Sequence, residues 1–214
     1  MAEPPPDARR VTVAAARLSK WLDGFADRHG PLSTEATPER VTVTAADGSV
    51  AWIDVPFPPF DPNSSRTLTR LQQHVSADRR IGVLLVRRGG YAAGVFVGSK
   101  LVSSKVGSAY VQGTTKAGGW SQQRYARRRS NQASAAFAEA ADVAARILLP
   151  ECERLDGIIC GGDRPAVRAV LADPRLVTIQ ALVTEPYLAV GDPKLKVLQA
   201  TPEQFKVVQI AIHP

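Results

Sequence analysis

A chain of 214 residues with 44% hydrophobic side chains has enough apolar material for a packed core, which excludes general disorder. No apolar run approaches the roughly 18 residues of a membrane span, and the two cysteines, Cys152 and Cys160, lack the CxxC spacing of a zinc or redox motif. The net charge of +7 is uneven: residues 79–138 hold eleven Lys and Arg and no Asp or Glu, against sixteen basic and twenty acidic residues elsewhere.

Residues 1–10 are proline-rich and charged, without an apolar h-region. They are expected as a disordered tail and not as a signal peptide, which predicts a cytoplasmic protein. Over residues 11–26, Val11, Ala14, Ala15, Leu18, Leu22 and Phe25 recur near the helical period, and His29-Gly30-Pro31 is a stop signal. Residues 41–44 and 50–55 alternate with period two around Asp47-Gly48, which predicts a hairpin. A proline-rich connector over 56–62 leads to a short helix at 65–75. Strands at 81–86 and 91–97 flank the turn Arg88-Gly89-Gly90, and a third strand over 100–112 completes a meander.

A glycine-rich loop, 113–124, leaves that third strand. Residues 125–149 contain no Gly or Pro and put Ala133, Phe137, Ala140, Ala144 and Ile147 on one stripe, so they predict a long helix ended by Pro150. A buried strand at 155–160 turns through Gly161-Gly162 into a helix that reaches Leu171, with Asp163 as its N-cap. Residues 177–183 read as a strand, followed by a short helix start at Thr201-Pro202-Glu203 and a last strand over 207–212. This order predicts an α/β (α+β) fold: a single domain over 11–214 with a mixed β-sheet flanked by helices. Residues 11–75 are its N-terminal helix and hairpin region, and 80–214 its core.

The run from Lys116 through Gly118, Gly119, Trp120, Ser121, Gln122 and Gln123 to Arg124 holds no acid, and Arg127, Arg128 and Arg129 follow at once. Glycines let the backbone approach a partner closely, and guanidiniums bind phosphate. Four arginines at a helix start oppose the helix dipole by a few tenths to about 1 kcal/mol each. Folding does not ask for them, whereas a phosphate backbone docked there reverses the sign of that cost. A glutamine is neither nucleophile nor general base, but its amide can hold a water and donate to a developing oxyanion. That suits hydrolysis of an activated ester, where placing the water is most of the task. Trp120 either stacks on a terminal base or anchors the loop.

The Gly-Gly-Trp-Ser-Gln loop, preceded by a basic sheet and followed by the helix opening RYARRRSNQA, resembles the catalytic middle domain of eukaryotic and archaeal class I translation release factors. It resembles more closely the release-factor-like peptidyl-tRNA hydrolases of ribosome quality control, in particular their actinobacterial branch. That family carries a GxxQ loop where release factors carry GGQ, and Gly119-Trp120-Ser121-Gln122 matches it, with Gly118 also present and Asn131 following in the helix. The match is clearest over residues 94–141. The resemblance implies a hydrolase that frees nascent peptides from tRNA on stalled or split ribosomes, with the large ribosomal subunit and peptidyl-tRNA as partners. It implies Gln122 as the water-orienting amide, with Gln123 as the rival choice, and Gly118 and Gly119 as the residues that allow close approach. Lys100, Lys105, Lys116, Trp120, Arg124, Arg127, Arg128 and Arg129 would hold RNA. No cofactor, no metal and no membrane are implied, and the protein is expected to be a monomer.

The rival class is a non-catalytic ribosome- or RNA-binding factor that uses the same basic face. A ribonuclease-H-like nuclease would need clustered carboxylates on the sheet, and the acid-free window removes them from the best strands. His29, His74 and His213 lack metal-ligand spacing, and Ser103 and Ser104 have no histidine nearby in sequence for a triad. Asp54 and Asp61 flank the proline connector and do not read as an acid/base pair. Trp21, Trp52 and Tyr187 are expected in the core.

Overall fold

The computed structural model describes residues 3–62, 66–108 and 121–214, with the backbone alone for 121–133. In chain order the elements are β1 (Arg9–Ala14), α1 (Leu18–His29), β2 (Leu32–Ala36), β3 (Arg40–Ala45), β4 (Val50–Asp54), α2 (Thr67–Ser76), β5 (Arg80–Arg87), β6 (Gly90–Val97) and β7 (Lys100–Ser108). Then follow α3 (Ser121–Leu148), β8 (Gly157–Gly162), α4 (Arg164–Leu171), α5 (Val177–Ala181), β9 (Val183–Leu188), α6 (Leu195–Gln199), α7 (Pro202–Phe205) and β10 (Val207–His213). Among the described residues no helix is long and apolar enough to cross a membrane. The fold is mixed α/β, with two compact units: Met1–Ala77 together with Glu203–Pro214, and Asp78–Pro202.

The first unit is an antiparallel sheet of order β1-β10-β4-β3-β2. Leu18, Leu22 and Phe25 of α1 and Leu71 and Val75 of α2 pack with Val41, Val43, Ile53, Val208 and Ile210 of the sheet. The stop signal acts as read: Gly30 follows α1 at φ +91° and its N–H bonds Ala26 O. The β3–β4 hairpin forms about Asp47-Gly48, with Asp47 accepting from Ser49 N and lying 2.8 Å from His29 Nδ1. The first helix, however, starts later than its periodicity suggests, and Val11 and Ala14 belong to β1. Val11, Thr12 and Val13 are β-branched and find their partners in Ile210, Gln209 and Val208. Thr12 even bonds Gln209 across 197 positions of chain, a pairing outside any local window. Trp52 is buried with Ala8 and Ala211, and Trp21 stacks on Phe25.

The second unit carries the mixed sheet, of order β7-β6-β5-β8-β9. The meander β5–β6–β7 is antiparallel, and β8 and β9 continue it in parallel. Leu84, Val86, Ala93 and Val95 of the sheet pack with Ala140, Ala144 and Leu148 of α3 and Val167 and Val170 of α4. On the opposite face α6 packs against β6 and β7. There a Cβ on Gly94 would lie 3.0 Å from Leu198, so the glycine admits the helix.

Two expectations are corrected here. Residues 177–183 are not a strand: α5 spans Val177–Ala181 and β9 begins only at Val183. Asp173 caps the short 3-10 turn Pro174–Leu176 by accepting from Arg175 N, and the winding runs on into α5, burying Leu176 and Ile179 one turn apart. Asp163 stands at the N-cap position of α4 in an extended conformation, but its side chain makes no capping bond. Its carboxylate lies 3.6 Å from Arg87 Nε instead. Tyr187 is half-buried, with its hydroxyl donating to Gly162 O and Arg164 over its ring at 4.0 Å.

Candidate functional site

The strand that feeds the glycine loop is an edge. Among the described residues β7 pairs with β6 alone, and Lys100, Val102, Ser104 and Lys105 are exposed along it. Five positions separate the two lysines, which in a regular strand would put them on opposite faces. The register shifts between Val95 and Phe96, so that Ser103 opposes Val95 while Leu101 opposes Phe96, and Val102 is the extra residue. This bulge brings Lys100, opposite Val97, and Lys105, opposite Ala93, to the same face. Val102, left without a partner, is 46% exposed.

Near its end β7 is tied to the helix that follows the loop. Tyr91 opposes Gly107, and its ring lies where a Cβ on Gly107 would be. From there the hydroxyl donates to Glu139 Oε2 of α3 at 3.2 Å. Burial, the bond to Glu139 and the negative charge of that carboxylate push the Tyr91 phenol up, so it stays a donor. One side chain therefore fixes the strand before the loop and the helix after it. Glu139 is the first acid after the acid-free window. That is the only trace the arrangement leaves in the sequence, and sequence reasoning missed it.

The helix itself begins earlier than expected. α3 starts at Ser121, four residues before the Tyr125 start expected from composition, so the backbone of Gln122 and Gln123 belongs to its first turn. The helix is 28 residues, or about 42 Å, long. Among the described side chains its packed stripe begins at Phe137, and the backbone of Arg124, Arg127, Arg128 and Arg129 stands within its first three turns. Lys116, Gly118, Gly119 and Trp120 lie outside the described residues, as do positions 109–112 of the expected third strand.

The window free of acids in sequence is not free of them in space. Arg80 Nη1 bonds Glu151 at 2.9 Å, and Arg80 N donates to Asp156. Arg87 donates to Val190 O and faces Asp163. Burial holds the Arg79 guanidinium below its ordinary value, against the opposing pull of Asp156. These arginines serve the fold, whereas Lys100 and Lys105 form no ion pair among the described residues. Arg175 pairs with Asp142 of α3 at 2.8 Å and with Asp173 at 2.7 Å, fixing the packed half of the helix.

A family model described as the Actinobacteria/chloroflexi VLRF1 release factor matches residues 79–211. Among solved structures, the chain is similar to an archaeal translation termination factor, aRF1, at 14% identity and a TM-score of 0.45, covering 90% of this chain and 71% of that one. It is also similar to the Vms1 mitochondrial localization core, at 12% identity and a TM-score of 0.44, over 90% of this chain and 80% of that one. A third is Dom34 of S. cerevisiae, a translation termination-like factor, at 7% identity and a TM-score of 0.34, over 95% and 69%. No curated protein matches the chain.

Proposed function

The chain belongs to the Actinobacteria/chloroflexi VLRF1 release factor family, and from that membership we propose that it hydrolyses peptidyl-tRNA, freeing nascent peptides on stalled or split ribosomes. The observation that carries this reading is the extent of the family match, 79–211, which takes in the whole Gly118-Gly119-Trp120-Ser121-Gln122 loop, the strand before it and the helix after it.

In this mechanism Gln122 orients a water toward the carbonyl carbon of the ester that joins peptide to the tRNA ribose. The water oxygen forms the new bond, the ribose oxygen leaves and takes up a proton, and no redox partner is required. Gly118 and Gly119 leave room for backbone N–H groups beside the same carbon, where they stabilise the oxyanion. Lys100, Lys105, Lys116, Arg124, Arg127, Arg128 and Arg129 hold the acceptor end of the tRNA or the RNA of the large subunit, and Trp120 stacks on a terminal base or anchors the loop. The tie from Tyr91 to Glu139 supports the reading in that it holds β7 to the packed part of α3, the two elements that flank the loop in sequence.

The test is release of a labelled nascent peptide from purified peptidyl-tRNA–large-subunit complexes. The intact protein should free the peptide, and Gln122→Ala should lower the rate by roughly 10²–10³, the usual loss when one such donor is removed. Gln123→Ala should retain most of the activity. If the intact protein binds with a steep salt dependence and frees nothing, the non-catalytic RNA-binding factor takes the place of the hydrolase.

A further inference from the structure

Two helices begin at the end of the mixed sheet where β7 stops. Ser108 pairs with Gly90 there, Gly90 with Arg87, and Val86 with Gly162, whose successor Asp163 donates its N–H to Val86 O. α3 and α4 pack on the same face of that sheet. α3 runs from Tyr91, where Glu139 is bonded, toward Gly82, which Leu148 covers. Ser121 lies 18 residues before Glu139, so about 27 Å of helix backbone, carrying the run Arg124 to Arg129, projects past the sheet. α4 starts beside it. Its Arg164 and Arg168, four positions apart, are both exposed, and neither forms an ion pair among the described residues. Arg164 lies over the Tyr187 ring at 4.0 Å, and Tyr187 is held in turn by its hydroxyl on Gly162 O and its N–H on Glu185. Burial pushes the Tyr187 phenol up, while the charges of Arg164 and Arg168 both pull it down, so both cations act on one ring. The neighbouring carboxylates turn elsewhere: Asp163 lies 3.6 Å from Arg87, Asp192 lies against Gly89, and Glu185 accepts from Tyr187 N.

We propose that Arg164 and Arg168 form a phosphate-contacting site for RNA at the root of α3, with Tyr187 as the residue that positions Arg164. Folding does not ask for these arginines. A cation in the first turn of a helix opposes its dipole, and like charges four apart on a helix repel each other. The Tyr187 ring offsets part of that cost for Arg164, but Arg168 has no such contact among the described residues. A planar guanidinium held on a ring keeps its donors in a fixed fork, and it loses less freedom when it meets a phosphate. The helix backbone that projects from this same end carries four arginines and no acid. A partner that meets both helices must offer a continuous run of anions, which a phosphodiester backbone does and scattered acidic side chains do not. Such contacts fix position without reading sequence. The site gives the RNA a second hold outside the glycine loop, and it rests on the release-factor reading in taking the partner to be RNA.

The experiment is equilibrium binding of the full chain to a fluorescein-labelled RNA duplex, titrated at several salt concentrations. Each phosphate contact contributes nearly one unit to the slope of log K against log salt. Arg164→Gln combined with Arg168→Gln should therefore lose nearly two units. Its fall in affinity between about 50 and about 200 mM salt should then be about twelvefold smaller than that of the intact protein. Arg168→Gln alone should lose nearly one unit at an unchanged thermal midpoint, since that side chain is exposed and lies outside the stack. Arg154→Gln removes an exposed arginine from the opposite end of the sheet and should lose none. Tyr187→Phe keeps the ring and should bind as the intact protein does. Tyr187→Leu should bind about two- to tenfold more weakly with its slope unchanged, because the charges remain and only their ordering is lost.

An unchanged slope in folded Arg168→Gln and in the double variant overturns the proposal and leaves the hydrolase reading intact, since peptide release is measured separately. An equal loss of slope in Arg154→Gln shows that net charge alone is felt, and it overturns the site as well. Polyglutamate competing as well as unlabelled duplex at equal charge overturns the choice of RNA as partner. Tyr187→Leu binding as tightly as Tyr187→Phe overturns the positioning role of the ring. A protein that shows the α4 effect but releases no peptide retains the site and loses only the hydrolase.

Discussion

The Tyr91 hydroxyl lies 3.2 Å from Glu139 Oε2 while the Tyr91 ring crosses the backbone at Gly107, so a single side chain spans from β6 over β7 to α3. Removing the hydroxyl tests how much of the loop frame this bond holds. Tyr91→Phe keeps the ring and its packing but deletes the donor. It should lower stability by about 1 kcal/mol, the usual net value of such a bond, seen as a reduced urea midpoint with an unchanged slope. Glu139→Gln retains an acceptor and should lose less. If the two variants match the intact protein in both stability and peptide release, the tie is incidental.

Gly107→Ala is the complementary change. The new methyl would occupy the space of the Tyr91 ring, which cannot move without giving up the bond to Glu139. Forcing extra volume into a packed site costs about 1–3 kcal/mol. Combining the substitution with Tyr91→Ala should restore part of that loss, because the ring is the obstacle. A double-mutant cycle on denaturant midpoints measures the coupling, and additive losses would show that Gly107 is constrained by something else.

Acid stability follows from Asp173. Its side chain accepts from Arg175 N and Nε at 2.9 Å and from Arg175 Nη2 at 2.7 Å. These bonds hold its carboxyl at about 2, below the ordinary 3.8. A folded-state pKa below the unfolded one contributes stability that is present above about 3.8 and is lost as pH falls toward about 2. Asp173→Asn should therefore flatten the fall of the thermal midpoint in that window and leave its shape near neutrality unchanged. Its partner Arg175 is exposed, so the effect should shrink at high salt. A variant whose acid limb follows that of the intact protein at low salt would show that other carboxylates control it.

Much of the second unit was legible from local pattern. The alternation around Arg88-Gly89-Gly90 corresponds to the β5–β6 hairpin, and the alanine-rich stretch before Pro150 corresponds to the packed part of α3. α5 was not legible, because Val177, Thr178 and Ile179 favour a strand by propensity. A cap at Asp173 and burial of Leu176 and Ile179 make the segment helical instead. Of the candidate site, the loop and the arginines after it stand out in the sequence because their composition departs from what folding requires. The bulge at Val102, the Tyr91 bond and the approach of α6 could not, since each depends on residues distant in the chain.

The sequence by itself determined the elements whose signals are local: the Asp47-Gly48 hairpin, the β5–β6 turn and the long helix. Only the tertiary structure decided which strands share a sheet. It sends β10 to pair with β1 and β4 in the antiparallel sheet, and it makes Val11 part of a strand where periodicity suggested a helix. It also decided which cations are engaged: Arg80 and Arg87 meet Glu151 and Asp163, while Lys100 and Lys105 form no ion pair among the described residues. Period and composition report the environment a residue needs, but the partner that satisfies it is chosen by packing across chain separations that no local window contains.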